Sequence, residues 1–193
     1  MLQLRFHGRG GQGVVTTAEL LSVAAFTEGR HAQAFPVFGS ERTGAPVASF
    51  CRIDDRPIRA HDPVTEPDVV VIQDPTLLHQ VDVFAGLADG ATVLVNTGRD
   101  AAQLGLSELA GRVRLLTIPA TELAREHLGR PMPGAPLLGA LSALGGAPSV
   151  DAVESAIRER FTGAAADGNG AAARAAHDLQ AARVPHDPHP APC

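Results

Sequence analysis

A glycine-rich loop near the start of the chain carries the clearest chemical signal in the sequence. The loop follows the pattern G-x-G-x-x-G, and glycine allows backbone amides to come close to an anion. The N-terminus of a helix that follows such a loop adds partial positive charge at the same place. We therefore expect the loop to bind an anionic group, although glycine also serves simply to turn a strand into a helix. The candidate binding residues are Gly8, Arg9, Gly10, Gly11, Gln12 and Gly13.

A second candidate site is a cluster of charged and small residues in segment 38–46. Arg42 carries a planar guanidinium that can bind a carboxylate or a phosphate with two hydrogen bonds. The alternative is a solvated loop in which Glu41 and Arg42 pair with nearby charges. The candidate binding residues of this cluster are Ser40, Glu41, Arg42, Thr43 and Gly44.

Two polar residues stand where buried strands are expected to end. Asp74 follows the apolar run 69–72, and Asn96 follows the apolar run 91–95. Open α/β sheets bind ligands at the carboxyl edge of their strands, so both residues are expected beside the glycine loop. Asn96 is accordingly a further candidate binding residue. The alternative is that both residues cap helices or form turns.

The hydrophobic pattern around these residues alternates between strands and helices. Residues 2–7 alternate apolar and polar side chains, as a strand does, and the residues after the glycine loop have helical spacing. This alternation predicts an α/β fold: a single Rossmann-like domain with a mostly parallel open sheet and helices on both faces. The domain is expected over residues 1–183, and a Pro-rich, disordered tail over 184–193. The first helix is expected to end at Gly29, and its apolar face is formed by Val14, Ala18, Leu21 and Ala25. Further strands are predicted over 48–53, 69–72, 91–95 and 113–118. Further helices are predicted over 121–128, 137–144, 150–161 and 164–182, the last of them loosely packed.

The composition excludes several classes of function. The chain of 193 residues has a formal net charge of −5 and contains no Lys, Trp or Tyr, so it lacks the basic patch and the stacking residues of nucleic-acid-binding proteins. Without Lys it can form neither a Schiff base nor a Walker-type phosphate site. Its two cysteines, Cys51 and Cys193, are too few for a four-cysteine zinc or iron–sulfur site. No apolar run approaches a membrane span or a signal peptide, which favours a cytoplasmic protein without membrane partners.

The glycine pattern also allows a free-standing NAD(P)-binding oxidoreductase. That class of protein places an acidic residue on the ribose, at the end of the second strand. The corresponding region, 34–38, contains no Asp or Glu. This absence weighs against the nicotinamide interpretation, which micromolar binding of NAD(H) or NADP(H) would support.

Four passages in order resemble the gamma subunits of pyruvate:ferredoxin oxidoreductase and its 2-oxoacid relatives, over residues 1–162. The E-R-T-G-A-P form of the second passage is more similar to pyruvate-type than to indolepyruvate-type subunits. The chain departs from the family pattern at one place. The family commonly carries an Asn before the L-L-G-A-L segment, whereas this chain has P-G-A-P at residues 133–136. A contact made by that Asn is therefore not expected here. The passages are G-R-G-G-Q-G-V-V-T-T-A-E-L-L from Gly8, F-G-S-E-R-T-G-A-P-V from Phe38, P-D-V-V-V-I-Q-D-P-T-L-L from Pro67 and V-L-V-N-T from Val93.

The resemblance implies one subunit of an enzyme that converts a 2-oxoacid and coenzyme A into acyl-CoA, carbon dioxide and two electrons for ferredoxin. It implies that the complex uses thiamine diphosphate with Mg and iron–sulfur clusters. The implied partners are thiamine-binding alpha and beta subunits and a ferredoxin-like delta subunit or domain. This chain alone is expected to be inactive, and no residue in it is identified as catalytic or as a metal ligand.

Within this resemblance the two candidate loops have two possible roles. They could position coenzyme A, with backbone amides and Arg42 or Arg9 contacting its negative charge. They could instead serve only to dock the thiamine-binding subunits. An indolepyruvate- or 2-oxoglutarate-type enzyme also remains open, because no residue can be assigned to the 2-oxoacid side chain.

Overall fold

The computed structural model describes residues 1–36 and 43–183, which form a six-stranded sheet covered by helices. The strand order across the sheet is β2-β3-β1-β4-β5-β6. Ser40, Glu41, Arg42 and the predicted tail 184–193 lie outside the described residues. The strands are β1 (Leu2–Arg9), β2 (His31–Pro36), β3 (Pro46–Asp54), β4 (Val69–Ile72), β5 (Thr92–Asn96) and β6 (Arg114–Ile118).

The sheet is mostly parallel, as the alternating pattern predicts. Strands β1, β4, β5 and β6 pair in parallel, whereas β3 runs antiparallel between β1 and β2. The connection between β2 and β3 is too short for the helical crossover that a parallel pair requires. Strand β3 therefore returns beside β2 and then pairs with β1 on its other side.

The helices cover the two faces of the sheet unequally. Five helices pack on one face, while a short helix and a 3₁₀ helix cover the other face. The prediction of helices on both faces is confirmed, with most of the helical mass on one of them. The first face carries α1 (Val14–Thr27), α3 (Ala120–Leu128), α4 (Gly134–Ser142), α5 (Val150–Arg160) and α6 (Gly163–Ala181); the second carries α2 (Ser107–Ala110) and the 3₁₀ helix Pro75–His79.

Strand β4 lies in the middle of the core. All its residues are buried, as expected of a strand covered on both faces. Val69 and Val71 face the five-helix side, and Val70 and Ile72 face the other side. Parallel pairing of β4 with β1, in which Ile72 lies opposite His7, places the end of β4 and the residues directly after it near the end of β1.

Helices α4 and α6 differ from their predicted forms. Helix α4 begins at Gly134 rather than at residue 137, so it includes Pro136. Proline is tolerated in the first turn of a helix, because the backbone nitrogens there make no hydrogen bond within the helix. Helix α6 is closely packed rather than loose. A Cβ atom at Gly139 of α4 would overlap the carbonyl of Ala173 in α6, so the backbones of the two helices are nearly in contact.

Two predicted helix ends are confirmed. Ser149 caps α5 by accepting a hydrogen bond from the Ala152 amide at 3.2 Å. Gly29 follows α1 in the left-handed conformation, with φ of 78°, which only glycine adopts without strain. Within residues 1–36 and 43–183 the structure contains no helix that could cross a membrane.

Candidate functional site

The glycine loop connects the end of β1 to the first residue of α1. Gly11 and Gly13 have φ of 92° and 73°, in the left-handed region where other residues are strained. Gly8 has no room for a side chain, because a Cβ atom would lie 2.6 Å from Val14 Cγ2. The glycines thus serve two physical needs: a tight left-handed turn, and close packing of the loop on α1.

The amides at the start of α1 have no acceptor inside the helix. The first helical hydrogen bond runs from the Thr17 amide to the Gly13 carbonyl at 2.9 Å, so Val14, Val15 and Thr16 precede it. Among the described residues, no side chain caps this helix, and its first turn holds no acidic residue. The amides and the helix dipole therefore present uncompensated positive charge at the loop.

A cavity of about 300 Å³ opens at these amides. As far as the chain is described, no acidic residue lines this cavity, so nothing in its wall repels an anion. Three of its lining residues are glycines, whose lack of a side chain lets a ligand come close to the backbone. It is lined by Arg9, Gly10, Gly11, Gly13, Val14, Val15, Thr16, Val47 and Met132.

The described part of the second cluster lies directly against the glycine loop. The Gly10 amide donates to the Ala45 carbonyl at 2.9 Å, and the Gly44 amide donates to the Gly10 carbonyl at 3.1 Å. These bonds continue the β1–β3 ladder beyond Arg9 and Pro46, which are paired at its end. Gly44, and with it the described end of this cluster, therefore stands beside the glycine loop.

Arg9 turns its guanidinium into the protein. Its Nε donates to Asp74 Oδ2 at 3.0 Å, and its Nη1 donates to the Gly44 carbonyl at 3.0 Å. Its Nη2 donates to Thr76 Oγ1 at 2.6 Å and to Gln80 Oε1 at 2.8 Å. These contacts use four of the five N–H groups of the guanidinium, which leaves one Nη1 proton without a partner among the described residues. The backbone amides are therefore the better anion donors of the loop.

Asp74 lies beside the glycine loop, as its position at the end of β4 suggests, and it also caps a helix. Its Oδ1 accepts from the Thr76 amide at 3.0 Å and so caps the 3₁₀ helix. Its Oδ2 accepts from Gln12 Nε2 at 2.8 Å as well as from Arg9. Partial burial acts to raise the pKa of Asp74, but the hydrogen bonds from Thr76 and Gln12, together with the charge of Arg9, hold the pKa below its usual value.

Gln12 closes the loop on itself. The Arg9 amide donates to Gln12 Oε1 at 2.8 Å, and the Gln12 amide donates back to the Arg9 carbonyl at 3.0 Å. Because its Nε2 also donates to Asp74, the Gln12 side chain stabilises the conformation of the loop. The side chains of Arg9 and Gln12 therefore hold the loop in place.

Asn96 lies away from the glycine loop and is 6% exposed. Its Nδ2 donates to the Gln73 carbonyl and to Thr121 Oγ1, each at 2.8 Å, and its Oδ1 accepts from the Thr121 amide at 3.0 Å. It joins the ends of β4 and β5 to α3. Its connection to the loop is indirect, through Gln73.

Sequence reasoning did not identify Gln73 and Thr17, which lie under the loop. Gln73 Nε2 donates to Thr17 Oγ1 at 2.8 Å, and Thr17 Oγ1 donates to the Gly13 carbonyl at 2.9 Å. A signal was present, because Gln73 is a polar residue directly after a fully buried strand. A buried amide at such a position must find a partner, and Thr17 supplies it.

Two further cavities continue from the loop along α1. They have volumes of about 160 and 370 Å³, and each is lined in part by Thr16, Leu20 and Arg160. The farther one lies between α1 and α5, with Val23 and Ala156 in its wall. Across residues 1–36 and 43–183, no three His, Cys, Asp or Glu side chains stand together as a metal site would require.

Comparison with known proteins agrees with this fold. The family model described as pyruvate ferredoxin/flavodoxin oxidoreductase matches residues 3–179. The pyruvate/ketoisovalerate oxidoreductases common subunit gamma of Thermococcus kodakarensis is 48% identical, over 91% of this chain and 95% of that protein. The pyruvate synthase subunit PorC of Methanothermobacter thermautotrophicus is 46% identical, over 92% of this chain and 95% of that protein.

A solved structure supports the same assignment. The crystal structure of the pyruvate oxidoreductase subunit PORC of Thermotoga maritima superposes with a TM-score of 0.78 and 34% identity, covering 92% of this chain and 95% of that one. The resemblance seen in the sequence is thereby confirmed over nearly the whole chain. The chain belongs to the pyruvate ferredoxin/flavodoxin oxidoreductase family, as a gamma subunit of a 2-oxoacid ferredoxin oxidoreductase complex.

Proposed function

We propose that this gamma subunit helps to position coenzyme A in a pyruvate-type complex that forms acyl-CoA, carbon dioxide and two electrons. The observation that carries the proposal is the uncapped N-terminus of α1, which opens on a cavity without acidic residues among the described part of the chain. Coenzyme A carries phosphate groups, and phosphates bind where helix amides and dipole converge. The subunit contributes binding and orientation rather than a reacting group.

The anion donors in this proposal are backbone amides. The amides of Val14, Val15 and Thr16 precede the first helical bond, and these three residues line the cavity. The chain contains no Lys, so any side-chain cation must be Arg. Arg9 is held by Asp74, so the side-chain candidate from the sequence is Arg42, which directly precedes Thr43 in the chain.

The redox and thiamine chemistry is assigned to partner chains. Two cysteines in the whole chain cannot ligate a four-cysteine cluster, and the described residues hold no three-ligand metal group. The proposed partners are thiamine-binding alpha and beta subunits, which would hold thiamine diphosphate with Mg, and a ferredoxin-like delta subunit or domain. Ferredoxin is the proposed final acceptor.

Pyruvate is the proposed 2-oxoacid. The relatives from Methanothermobacter thermautotrophicus and Thermotoga maritima carry pyruvate in their names. The Thermococcus kodakarensis relative is named a subunit common to pyruvate and ketoisovalerate oxidoreductases, which agrees with a gamma chain that does not select the 2-oxoacid. Assay of the complex with pyruvate, ketoisovalerate, indolepyruvate and 2-oxoglutarate distinguishes these substrates.

Two matched variants of Thr16 test the coenzyme A role in the assembled complex. Thr16→Asp places a carboxylate in the first turn of α1, where it suits the helix dipole but repels a phosphate. At a separation of about 5 Å and a partly screened dielectric, we expect the KM for coenzyme A to rise about tenfold. Thr16→Asn has nearly the same size without the charge, and we expect a much smaller change. Equal KM values for the two variants would refute the proposal.

A purely structural docking role is the second candidate. The apolar cavity between α1 and α5 and the 74% exposed ring of Phe26 favour a protein contact on this side. This role predicts that the Thr16 variants fail, if at all, by losing assembly and to a similar degree. Size-exclusion chromatography of each complex, made before the kinetic assay, separates the two roles.

A further inference from the structure

Gln73 is a buried polar residue that the proposed function does not use directly. It is 1% exposed and comes directly after β4. Its amide donates to the His7 carbonyl at 2.7 Å, and its carbonyl accepts from Asn96 Nδ2 at 2.8 Å. The backbone of Gln73 is thus held between β1 and the end of β5, and its side chain starts from a rigid position.

The side chain of Gln73 forms a directional chain of hydrogen bonds to the glycine loop. A hydroxyl group has one proton, and Thr17 Oγ1 donates it to the Gly13 carbonyl at 2.9 Å. Thr17 Oγ1 must therefore accept from Gln73 Nε2, which lies 2.8 Å away. The Gln73 Oε1 atom is buried and has no hydrogen-bond partner in residues 1–36 and 43–183, so the bond to Thr17 is the one that holds the side-chain amide there.

The chain of hydrogen bonds from Gln73 ends at the carbonyl of Gly13, in the glycine loop. Its carbonyl accepts from both the amide and the hydroxyl of Thr17, each at 2.9 Å. Gly13 is in the left-handed conformation and precedes the first residue of α1. Its backbone angles set the direction of the amides of Val14 to Thr16, and glycine by itself resists rotation weakly.

Gly134, the first residue of α4, provides the space for Thr17. A Cβ atom at Gly134 would overlap Thr17 Oγ1 and would lie 3.7 Å from Gln73 Nε2. In this chain the hydroxyl of Thr17 and the amide of Gln73 meet in the space that a side chain would occupy.

We propose that Gln73 and Thr17 are positioning residues, which hold Gly13 so that the first amides of α1 point into the cavity. This inference rests on the proposed function, because it names the residues that orient the anion-binding amides. Preorganised donors bind an anion without the cost of reorientation, so a broken chain of bonds weakens binding while the amides remain present. Asn96 supports the same chain by holding the Gln73 backbone.

The experiment compares Thr17→Val with Thr17→Ser in the assembled complex. Valine has the shape of threonine without the hydroxyl, whereas serine keeps the hydroxyl. We expect Thr17→Val to raise the KM for coenzyme A about two- to tenfold, the effect of one net hydrogen bond, with kcat changed less than twofold. We expect Thr17→Ser to restore most of the affinity. An equal loss of affinity in both variants, or an unchanged KM together with unchanged amide exchange of the loop, overturns the proposal.

Hydrogen–deuterium exchange separates this inference from the coenzyme A role. In the complex without coenzyme A, the peptide that contains the loop and the start of α1 is expected to exchange faster in Thr17→Val than in Thr17→Ser. Unchanged exchange overturns the positioning role, whatever coenzyme A does. Faster exchange, combined with no charge effect in the Thr16 variants, supports the positioning role and rejects the coenzyme A role.

A second variant covers the case in which Thr17→Val does not assemble. Gly134→Ala suits the start of a helix but displaces the Thr17 hydroxyl. It is expected to give the same rise in KM and the same faster exchange as Thr17→Val. If Gly134→Ala leaves both quantities at the wild-type level, the proposal is wrong.

Discussion

Arg9 Nε donates to Asp74 Oδ2 at 3.0 Å, and this ion pair joins the last residue of β1 to the end of β4. The two side chains are 21% and 13% exposed, so solvent screens the pair only in part. Asp74 also accepts hydrogen bonds from Gln12 and Thr76. One carboxylate thus fixes the glycine loop and the 3₁₀ helix together.

Asp74→Asn is expected to lower the free energy of unfolding by about 1–3 kcal/mol, since it removes the charge and one acceptor oxygen from partly buried donors. Urea unfolding of the purified chain measures the change. Asp89→Asn is the matched control, because the Arg112–Asp89 pair is 65% and 74% exposed. That control is expected to change the free energy by less than about 0.5 kcal/mol. Equal losses in the two variants would contradict this account of Asp74.

Gly139→Ala is expected to destabilise the chain by at least about 2 kcal/mol, despite the higher helix propensity of alanine. The added methyl group would overlap the Ala173 carbonyl, so α4 and α6 must separate. Gly145→Ala is the control, because a methyl group there meets no atom within 4 Å among the described residues. Thermal unfolding compares the two variants, and a Gly139→Ala protein as stable as the control would show that the helices can move apart freely.

His7 is expected to make the fold sensitive to acid. Burial and, to a smaller extent, the Arg5 guanidinium lower the pKa of His7 to about 4, although the Asp82 carboxylate acts in the opposite direction. The unfolded chain, with a histidine pKa of about 6.5, binds more protons than the folded chain between these two values. Stability is therefore lost as the pH falls from about 6.5 towards about 4, and this group causes no further loss below that range.

The variant His7→Gln removes this titration. Between pH 7 and pH 5 the wild-type chain is expected to lose about 2 kcal/mol more unfolding free energy than the variant. Urea unfolding at the two pH values measures the difference. His127→Gln, which replaces an exposed histidine, is the control and is expected to follow the wild type. Parallel pH dependence in the wild type and His7→Gln would contradict the effect assigned to burial.

The strands and most helices could be predicted because their signals are local. The run of β-branched residues at 69–72 matches β4 at both ends, and Ser149 marks the start of α5. The antiparallel direction of β3 and the close packing of α6 were not predictable in this way. Both depend on contacts between distant segments, such as the contact of Gly139 with Ala173.

In the candidate site too, local features could be predicted from the sequence, and contacts between distant residues could not. The spacing of the glycines alone indicated a turn, a following helix and an anion-compatible loop, because backbone freedom is a property of the residue type. The resemblance of the passages indicated the family, which the comparisons confirm. The partner of Arg9 was beyond local reasoning, since Asp74 lies 65 residues away in the chain.

Tertiary structure decided which polar groups face the cavity and which support it. Arg9 and Gln12 lie in a loop where sequence suggests binding, yet both side chains bond to Asp74. Gln73 and Thr17 have no motif of their own, yet they meet under Gly13. The physical reason is that buried hydrogen-bonding groups must find partners, and only the packing of β1, β4 and α1 determines which partners are within reach.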